Sequence, residues 1–253
     1  MIIENNKKKE NPFISLLFNI IIPVIVLKNG GKWIDNLLIE FSRKKKILPD
    51  IIIEEVPSVV FAVALIFPFF YFFYDLLKRK NLNYISILGF INVLLTGGIG
   101  IFGAKVGLSK NWFILKEGLL PIVIGTLFFL MSKFKPSSFN DIILNDALFD
   151  TGKLKESISD EMLPNFDGII QKAGYYLISG FFISSIIQFI LAYFIVVANP
   201  GEIGFNEQVS TMTWVSYFAV MVPTILVIGK GYLSMISELE TISSLDKEEF
   251  LKT

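Results

Sequence analysis

Six long apolar segments constrain what this chain can fold into more than any other feature of its sequence. An α-helix rises about 1.5 Å per residue, so about 20 apolar residues cross a hydrocarbon core of about 30 Å. The segments are Phe13–Leu27, Val56–Tyr74, Tyr84–Ala104, Trp112–Ser132, Gly174–Ala198 and Val209–Gly229. Because lipid offers no hydrogen-bond partners, each segment must satisfy its own backbone as a helix. The sequence therefore predicts an all-α, polytopic integral membrane protein, a single membrane domain over residues 1–253 with about six transmembrane helices in the lipid bilayer.

Composition supports this class and removes several kinds of chemistry. Mean hydropathy is +0.62 and 18% of residues are charged, against roughly a quarter in a soluble domain. The formal net charge is zero, so no basic field points to nucleic acid. Cysteine and histidine are both absent, which excludes disulfides, thiolate metal sites and Ser-His-Asp triads. We therefore expect no catalytic residues, no cofactor and no metal, in a protein that is not an enzyme.

The first segment is the shortest, and a signal peptide is its alternative interpretation. Lys7, Lys8 and Lys9 precede it and resemble the basic region of a signal peptide. However, no small-residue cleavage site follows, because the chain runs directly into Lys28 and Lys32. We expect a retained membrane span.

The distribution of lysine and arginine predicts the orientation of the spans. Fourteen basic residues fall on the side of the termini, and they are Lys7, Lys8, Lys9, Lys78, Arg79, Lys80, Lys133, Lys135, Lys153, Lys155, Lys172, Lys230, Lys247 and Lys252. Eight fall on the other side, and they are Lys28, Lys32, Arg43, Lys44, Lys45, Lys46, Lys105 and Lys110. Without the first span the same residues would divide eleven against eleven. We therefore predict six spans with both termini in the cytoplasm.

One basic run conflicts with that orientation. Arg43–Lys46 lies in the first extracytoplasmic loop, where positive charge is disfavoured. Trp33, Leu37, Leu38 and Phe41 share a helical face ahead of it, a pattern typical of a short helix in the membrane interface. A solvated basic loop is the other interpretation of the same residues.

The long loop Lys133–Lys172 is predicted to be cytoplasmic and to contain a short helix. Ser138 and Asp141 have the spacing of a capping box at its start. A short apolar stripe follows, formed by Phe139, Ile142, Ile143 and Ala147. We expect this stripe to pack on the membrane face, and docking of a partner protein is the alternative.

A charged pair and three uncharged polar residues interrupt the apolar spans. Lys116 and Glu117 lie about one turn into the fourth span, where charge is costly unless it faces protein or water. Adjacent residues point about 100° apart on a helix, so each is expected to have its own partner. The pair predicts either an ion- or proton-linked site or a structural anchor near the interface. Asn19, Asn92 and Gln188 lie at mid-span and are expected to form hydrogen bonds between helices.

Small residues at helical spacing predict close packing between helices. Thr96, Gly100 and Ala104 recur every four residues along the third span, and Gly180 and Ser184 do so along the fifth. Helices in lipid associate through such residues because they let two backbones approach. The same interpretation covers the GxxxG pair formed by Gly103 and Gly107.

Prolines and a short internal echo are typical of some transporter folds. Four prolines lie within the spans, at Pro23, Pro68, Pro121 and Pro223. Residues Ile21–Val26 resemble Leu119–Ile124, which places the echo in the first and fourth spans. A duplicated three-helix unit would give a weak 3+3 inverted repeat, as in several transporters.

Several stretches taken together resemble a known family. They are Asn11–Phe13, Leu16–Asn19, Pro23, Leu94–Gly98, Trp112, Lys116, Glu117, Pro121, Phe189–Tyr193, Asn199–Glu202, Phe205–Glu207 and Met212. This series is similar to an uncharacterised family of bacterial inner-membrane proteins, itself distantly similar to the intracellular septation protein A group. The Leu-Thr-Gly-Gly stretch and the Phe-Asn-Glu stretch with Asn206 and Glu207 are its most specific parts. Gln188 departs from the family, which favours Asn there, and residues 30–55 form an expanded loop.

The resemblance implies a multi-pass protein of the cytoplasmic membrane with a link to cell-envelope maintenance, and it implies no reaction or substrate. We predict a non-enzymatic envelope or division factor that acts through membrane or division-protein partners or as a homo-oligomer. A small-solute or ion transporter is the alternative, motivated by Lys116, Glu117, the prolines and the echo. A membrane-embedded enzyme is the third and least favoured candidate, because no nucleophile and base can be named in the sequence.

The predicted topology can be tested with single cysteines, because the chain contains none of its own. A cysteine replacing Ser138 is expected to resist a membrane-impermeant thiol reagent in intact cells, whereas one replacing Ser109 is expected to react. Permeabilised cells, in which both should react, serve as the control. The reverse labelling pattern in intact cells would invert the topology.

Overall fold

The structure is a computed structural model, and it describes residues 14, 17–45, 51–79, 84–146, 148–202 and 204–252. Every regular element within these ranges is a helix. The only strand-like pairing in the same ranges is an isolated antiparallel bridge between Phe149 and Leu251. The prediction of an all-α fold is confirmed for this part of the chain.

The helices are numbered in chain order. They are α1 Ile22–Lys45, α2 Ile51–Arg79, α3 Tyr84–Gly97, α4 Gly103–Val106, α5 Asn111–Phe134, α6 Pro136–Leu144, α7 Thr151–Ser157, α8 Leu163–Ile195, α9 Phe205–Ser243 and α10 Lys247–Phe250. A π-helical segment, Leu17–Ile21, leads into α1, and another, Gly98–Phe102, joins α3 to α4. A 3-10 turn, Asp160–Met162, precedes α8.

Five helices in the described ranges are long and apolar enough to cross a membrane. Their apolar stretches are Leu17–Leu37, Val56–Tyr74, Asn111–Phe134, Leu163–Ile195 and Phe205–Ser243. They correspond to five of the six predicted spans. The remaining predicted span, Tyr84–Ala104, falls on a shorter apolar helix, Phe90–Val106. A sixth crossing and the 3+3 repeat stay predictions.

The long helices keep large apolar side chains on their outer faces. Phe70 is 66% exposed, Phe194 is 74% exposed and Leu226 is 68% exposed. Large apolar surface is rare on soluble monomers, because burying it is what drives their folding. Such exposure is what helices surrounded by lipid require.

The chain divides into two compact units, which are described separately. Unit 1 comprises residues 1–116 and 189–217, and unit 2 comprises residues 117–188 and 218–253. Each unit has its own apolar core.

In unit 1, α1 packs along α2, and a glycine sets how closely the two helices approach. Gly30 is buried, and a Cβ at this position would lie 2.8 Å from Cγ1 of Val60 on α2. Val26, Val60, Phe61 and other buried residues of the two helices form the centre of the unit 1 core. A larger residue at Gly30 would force Val60 or one of the two helices to shift.

This packing explains why α1 departs from the prediction. The sequence predicts a span that ends at Leu27, followed by either a separate interfacial helix over Trp33–Phe41 or a solvated basic loop, whereas α1 continues unbroken to Lys45. The glycines Gly30 and Gly31 lie within the helix rather than in a loop, because Val60 packs against the first of them. The expectation of two helices is therefore wrong. Several residues named above lie outside the described part of the chain. They are Lys7–Lys9, Lys46 and Ala147, and the side chains of Leu38, Phe41 and Arg43–Lys45.

The GxxxG interpretation of Gly103 and Gly107 is half wrong. Gly103 is buried at the start of α4 and would meet Leu108 and Pro200 if it carried a Cβ. Gly107 instead ends the helix as its C-cap, with a φ of 67°. This left-handed conformation favours glycine, and it explains the residue without any helix contact.

In unit 2, α8 and α9 run antiparallel. Lys172, near the start of α8, forms an ion pair of 2.6 Å with Glu238, near the end of α9. Further along the pair, Gly231 of α9 lies against Tyr176 of α8. The helices contain 33 and 39 residues, more than the ~20 that cross a hydrocarbon core, so their charged ends extend beyond the apolar stretches.

Helix α6 begins two residues earlier than its predicted capping box. Its first residue is Pro136, and Lys135 occupies the N-cap position without a side-chain cap. Proline suits this position, because the first N–H groups of a helix have no partner within it. Ser138 and Asp141 are therefore both inside the helix, and the capping-box prediction is wrong.

The apolar stripe of α6 is also placed differently from the prediction. Phe139 and Ile143 are fully buried in the unit 2 core, where Phe139 fills the space beside Gly174 of α8. The Tyr232 hydroxyl of α9 donates to the Ile143 carbonyl at 3.0 Å. Phe139 and Ile143 therefore pack on the protein's own helices and not on a membrane face.

The segment around α10 is bonded to the loop that precedes α7, and we call this pair of segments the clamp. The Asp150 N–H donates to the Phe250 carbonyl, and the Lys252 N–H donates to the Leu148 carbonyl, both at 2.8 Å. The rings of Phe149 and Phe250 stack 6.5 Å apart, and both are buried. This clamp closes one side of the unit 2 core.

We expect Phe250→Ala to lower the free energy of unfolding by about 3–5 kcal/mol, the usual cost of deleting a buried phenylalanine ring. Unfolding of the purified protein in mixed detergent micelles measures this loss. Leu148→Ala is the matched control, because Leu148 belongs to the same clamp and is 49% exposed. Equal losses in the two variants would show that the ring does not close the core.

Candidate functional site

Lys116 is a buried lysine on an apolar helix. It lies in the second turn of α5 and is 8% exposed. Its ammonium donates to Oδ1 of Asn92 at 3.0 Å and to Oγ1 of Thr96 at 2.7 Å, and it lies 5.0 Å from the centre of the Phe113 ring. The structure thus brings together three predicted residues of the third and fourth spans.

The two acceptors are held ready by α3 itself. Asn92 and Thr96 are four residues apart, so they share one face of the helix. The Thr96 hydroxyl donates its own hydrogen to the Asn92 carbonyl at 2.8 Å. Its lone pairs therefore remain available to the ammonium, which must be the donor.

The ammonium points away from the end of its helix. Helix α3, the π-helical segment after it and α4 form one helical rod that ends at Val106. At about 1.5 Å per residue, Thr96 lies about 15 Å from that end. Lys116 starts about one turn from the corresponding end of α5, beside Trp112, which is 57% exposed. Lysines in lipid usually extend toward the interface, whereas this one extends toward the depth of Thr96. An ionisable group at such a depth is a candidate functional residue.

An aromatic layer adjoins this cluster in unit 1. The Phe113 ring meets the Phe205 ring edge-on, with centres 5.7 Å apart, and Phe61 stacks on Phe205 at 6.1 Å. All three rings are buried. The layer connects Lys116 to the start of α9, where Asn206 and Glu207 of the family-like stretch lie.

A charged cavity of about 280 Å³ also lies in unit 1, and its lining includes Val60 and Asn206, which are next to Phe61 and Phe205 in the chain. Five charged residues line it, and they are Lys28, Lys32, Asp35, Glu202 and Glu207. Gly31, Val60 and Asn206 are among the other lining residues. Groups of three or more acidic side chains suited to a metal are absent from the residues that the structure describes.

Asn206 fixes one wall of the cavity. Its Nδ2 donates to the Pro57 carbonyl at the start of α2, at 2.8 Å. One turn later, the buried Ser210 hydroxyl donates to the Val24 carbonyl of α1 at 3.0 Å. Asn206 and Ser210 thus anchor the start of α9 to two other helices, while Glu207 remains exposed at the cavity.

The turn before α9 is a compact hydrogen-bonded structure. The Glu202 carboxylate accepts from the backbone N–H and from Nδ2 of Asn199, each at 2.7 Å. Asn199 Oδ1 in turn accepts from the Lys110 N–H at 3.0 Å. The hydrogen bonds from Asn199, first the backbone one and then that of the side chain, hold the pKa of Glu202 below its usual value, and the charge of Lys110 adds to this.

The other predicted positions lie apart from this cluster. In unit 1, Gly100 lies against the Phe61 ring and Ala104 against Gly201, while Asn19 is exposed in the first π-helical segment. In unit 2, Gly180 lies against Ile228 and Thr224, and the buried Ser184 accepts from Gln188 at 3.0 Å. Glu117 is half-buried in unit 2.

Sequence reasoning missed two parts of the site. It assigned Thr96 to a packing face, although Asn and Thr four residues apart are a polar pair on one side of a helix. It also missed the cavity, whose lining comes from α1, α2, the turn after α8 and α9. The spacing of Lys28, Lys32 and Asp35 along one helix was the available signal.

Comparisons of the chain with models of protein families, with curated proteins and with solved structures found no match. The likeness to the septation-related membrane family stays a prediction that depends on the stretches quoted for it.

The lowered pKa of Glu202 makes the stability of unit 1 depend on pH. A carboxyl whose pKa is depressed by folding stabilises the fold above its unfolded pKa, and this contribution is lost as pH falls through the folded pKa. We expect Glu202→Gln to melt below the wild type at neutral pH, and this gap to close at pH values under the usual carboxyl pKa of 4.5. Melting temperatures from pH 8 to pH 3 measure it. A constant gap across that range would contradict the assignment.

Proposed function

We propose that the protein is a multi-pass protein of the bacterial cytoplasmic membrane that binds a small polar solute and carries it across through unit 1. The single observation that carries this proposal is Lys116, a buried lysine of an apolar helix whose ammonium is held by Asn92 and Thr96. A purely structural membrane helix would avoid the cost of that charge.

Interrupted helices support the same proposal. Transporters commonly build their sites where a membrane helix departs from regular α geometry. The π-helical segment Gly98–Phe102 begins two residues after Thr96, and the segment Leu17–Ile21 contains Asn19. Such π-helical turns occur frequently at functional sites.

The cavity chemistry favours a solute that carries both charge signs or strong dipoles. Lysine and carboxylate side chains line the same space of about 280 Å³, close to the lower limit of about 300 Å³ for small-molecule sites. Val60 and Asn206 line that space and are next to Phe61 and Phe205 in the chain, and in our proposal the rings of Phe61, Phe113 and Phe205 separate it from Lys116. In the proposed cycle these rings move to let the solute reach the ammonium.

An envelope or division factor that acts through partners is the second candidate. The family likeness favours it, and so does the folded group of α6, α7 and α10, which presents exposed charged residues such as Lys155 and Glu156. Under the predicted topology this group faces the cytoplasm, where division proteins assemble.

Flux in proteoliposomes distinguishes the two candidates. The purified protein is screened with radiolabelled amino acids, small carboxylates and sugars, and with Na⁺ and K⁺. We expect uptake of at least one probe, reduced at least about tenfold by Lys116→Met, because about 1.4 kcal/mol of lost binding or transition-state energy is tenfold. Lys105→Met, at an exposed lysine of the same unit, is the matched control and should stay close to wild type.

Glu117→Gln tests the neighbouring charge in the same assay, and loss of uptake would extend the pathway to it. If no probe is transported, and Lys116→Met complements the envelope-stress phenotype of a deletion strain as well as wild type does, the partner-based function replaces transport.

A further inference from the structure

We propose that Asn92, Thr96 and Phe113 form a binding site for a monovalent cation, and that Lys116 fills this site with a tethered ammonium. The inference concerns the chemistry of the cluster and does not depend on transport. In the wild-type protein the cation in the site is therefore part of the chain, and it takes the place that a free ion would otherwise occupy.

The contacts of the ammonium are those of a small monovalent cation. Asn92 and Thr96 each place an oxygen against it, at 3.0 Å and 2.7 Å. The face of the Phe113 ring lies 5.0 Å away, within the ~6 Å at which an aromatic ring attracts a cation. Ammonium and K⁺ have similar radii, and oxygens together with an aromatic face bind both.

The site is preorganised independently of the lysine. The Thr96 hydroxyl is oriented by its hydrogen bond to the Asn92 carbonyl on its own helix. Phe113 is 1% exposed and is held by its contact with Phe205. Removing the Lys116 side chain therefore leaves two oriented oxygens beside a space that had been filled, and leaving partly buried acceptors unsatisfied is costly.

A consequence follows for the wild-type protein. In many transporters, carbonyl and hydroxyl oxygens of interrupted helices coordinate a free Na⁺. Here the ammonium occupies that place permanently. We therefore expect the stability of the wild type to be the same whether the monovalent cation of the buffer is Na⁺, K⁺ or N-methylglucamine.

The absence of native cysteine allows a matched chemical test. Lys116→Cys is treated with 2-aminoethyl methanethiosulfonate or with propyl methanethiosulfonate, which attach side chains of nearly equal size with and without the terminal ammonium. We expect Lys116→Cys to melt below wild type, the aminoethyl adduct to recover at least half of the loss, and the propyl adduct to recover clearly less. Mass spectrometry confirms the modification, and the cysteine-free wild type with both reagents is the control.

Equal recovery by the two adducts, or recovery by the propyl adduct alone, would show that the cluster needs only volume and would overturn the proposal. So would an aminoethyl adduct that recovers nothing.

If the buried thiol does not react, Lys116→Ala is tested instead. Methylammonium chloride is expected to raise its melting temperature in a saturable way, and choline chloride at equal concentration, whose cation is too large, is not. If neither variant folds, Asn92→Leu is used with the lysine intact, and adding Lys116→Met to it should restore stability by removing a charge that has lost its Asn92 oxygen. A failure of these stability tests leaves the flux result unaffected, and the reverse also holds.

Discussion

Polar groups enclosed by apolar helices must find their partners within the chain, and this constraint organises both units. The Ser210 hydroxyl bonds the Val24 carbonyl, and the Ser185 hydroxyl bonds the Gly118 carbonyl. Each of these bonds joins helices that are distant in sequence. The Lys116 ammonium is the most demanding case, because an unpaired charge in an apolar environment costs far more than an unpaired hydroxyl. The positions of Asn92 and Thr96 on α3 are therefore tied to the position of α5 in unit 1.

The apolar pattern was sufficient to predict helices, and less so to predict where they end. Three of the predicted spans, Val56–Tyr74, Trp112–Ser132 and Val209–Gly229, lie within longer helices, because hydropathy reports the apolar stretch and says nothing of charged turns added at its ends. The first span was predicted too short, since Gly30 reads as a loop residue until Val60 is known to pack on it. The start of α6 was misplaced for a similar reason: Ser138 matched a capping pattern, while Pro136 sets the first turn. Local signals of this kind are overridden by tertiary packing.

The sequence was sufficient to predict the intramembrane lysine of the site, but not which residues contact it. A lysine within an apolar segment can be recognised from sequence alone, and so can the polar residues at mid-span. The contact between these residues cannot be recognised in the same way. Whether Lys116 reaches Asn92 depends on how two helices are rotated and shifted against each other. The cavity is harder still, since its charged lining comes from four separate parts of the chain. Asn206 and Glu207 were singled out by family likeness, and the structure gives them different tasks, one bonded to the Pro57 carbonyl and the other exposed.

The clamp around α10 has a consequence for the order in which unit 2 assembles. One of its bonds, from the Lys252 ammonium to the Asp146 carbonyl, joins residues 106 positions apart. Closing so long a loop carries an entropic cost that grows with the logarithm of its length. That cost is reduced once α8 and α9 have paired, because their ends then hold both sides of the clamp in place. The helical pair should therefore form early and the clamp late. During heating, or when followed by hydrogen exchange, residues 148–150 and 247–252 should open together and before the helices they cover.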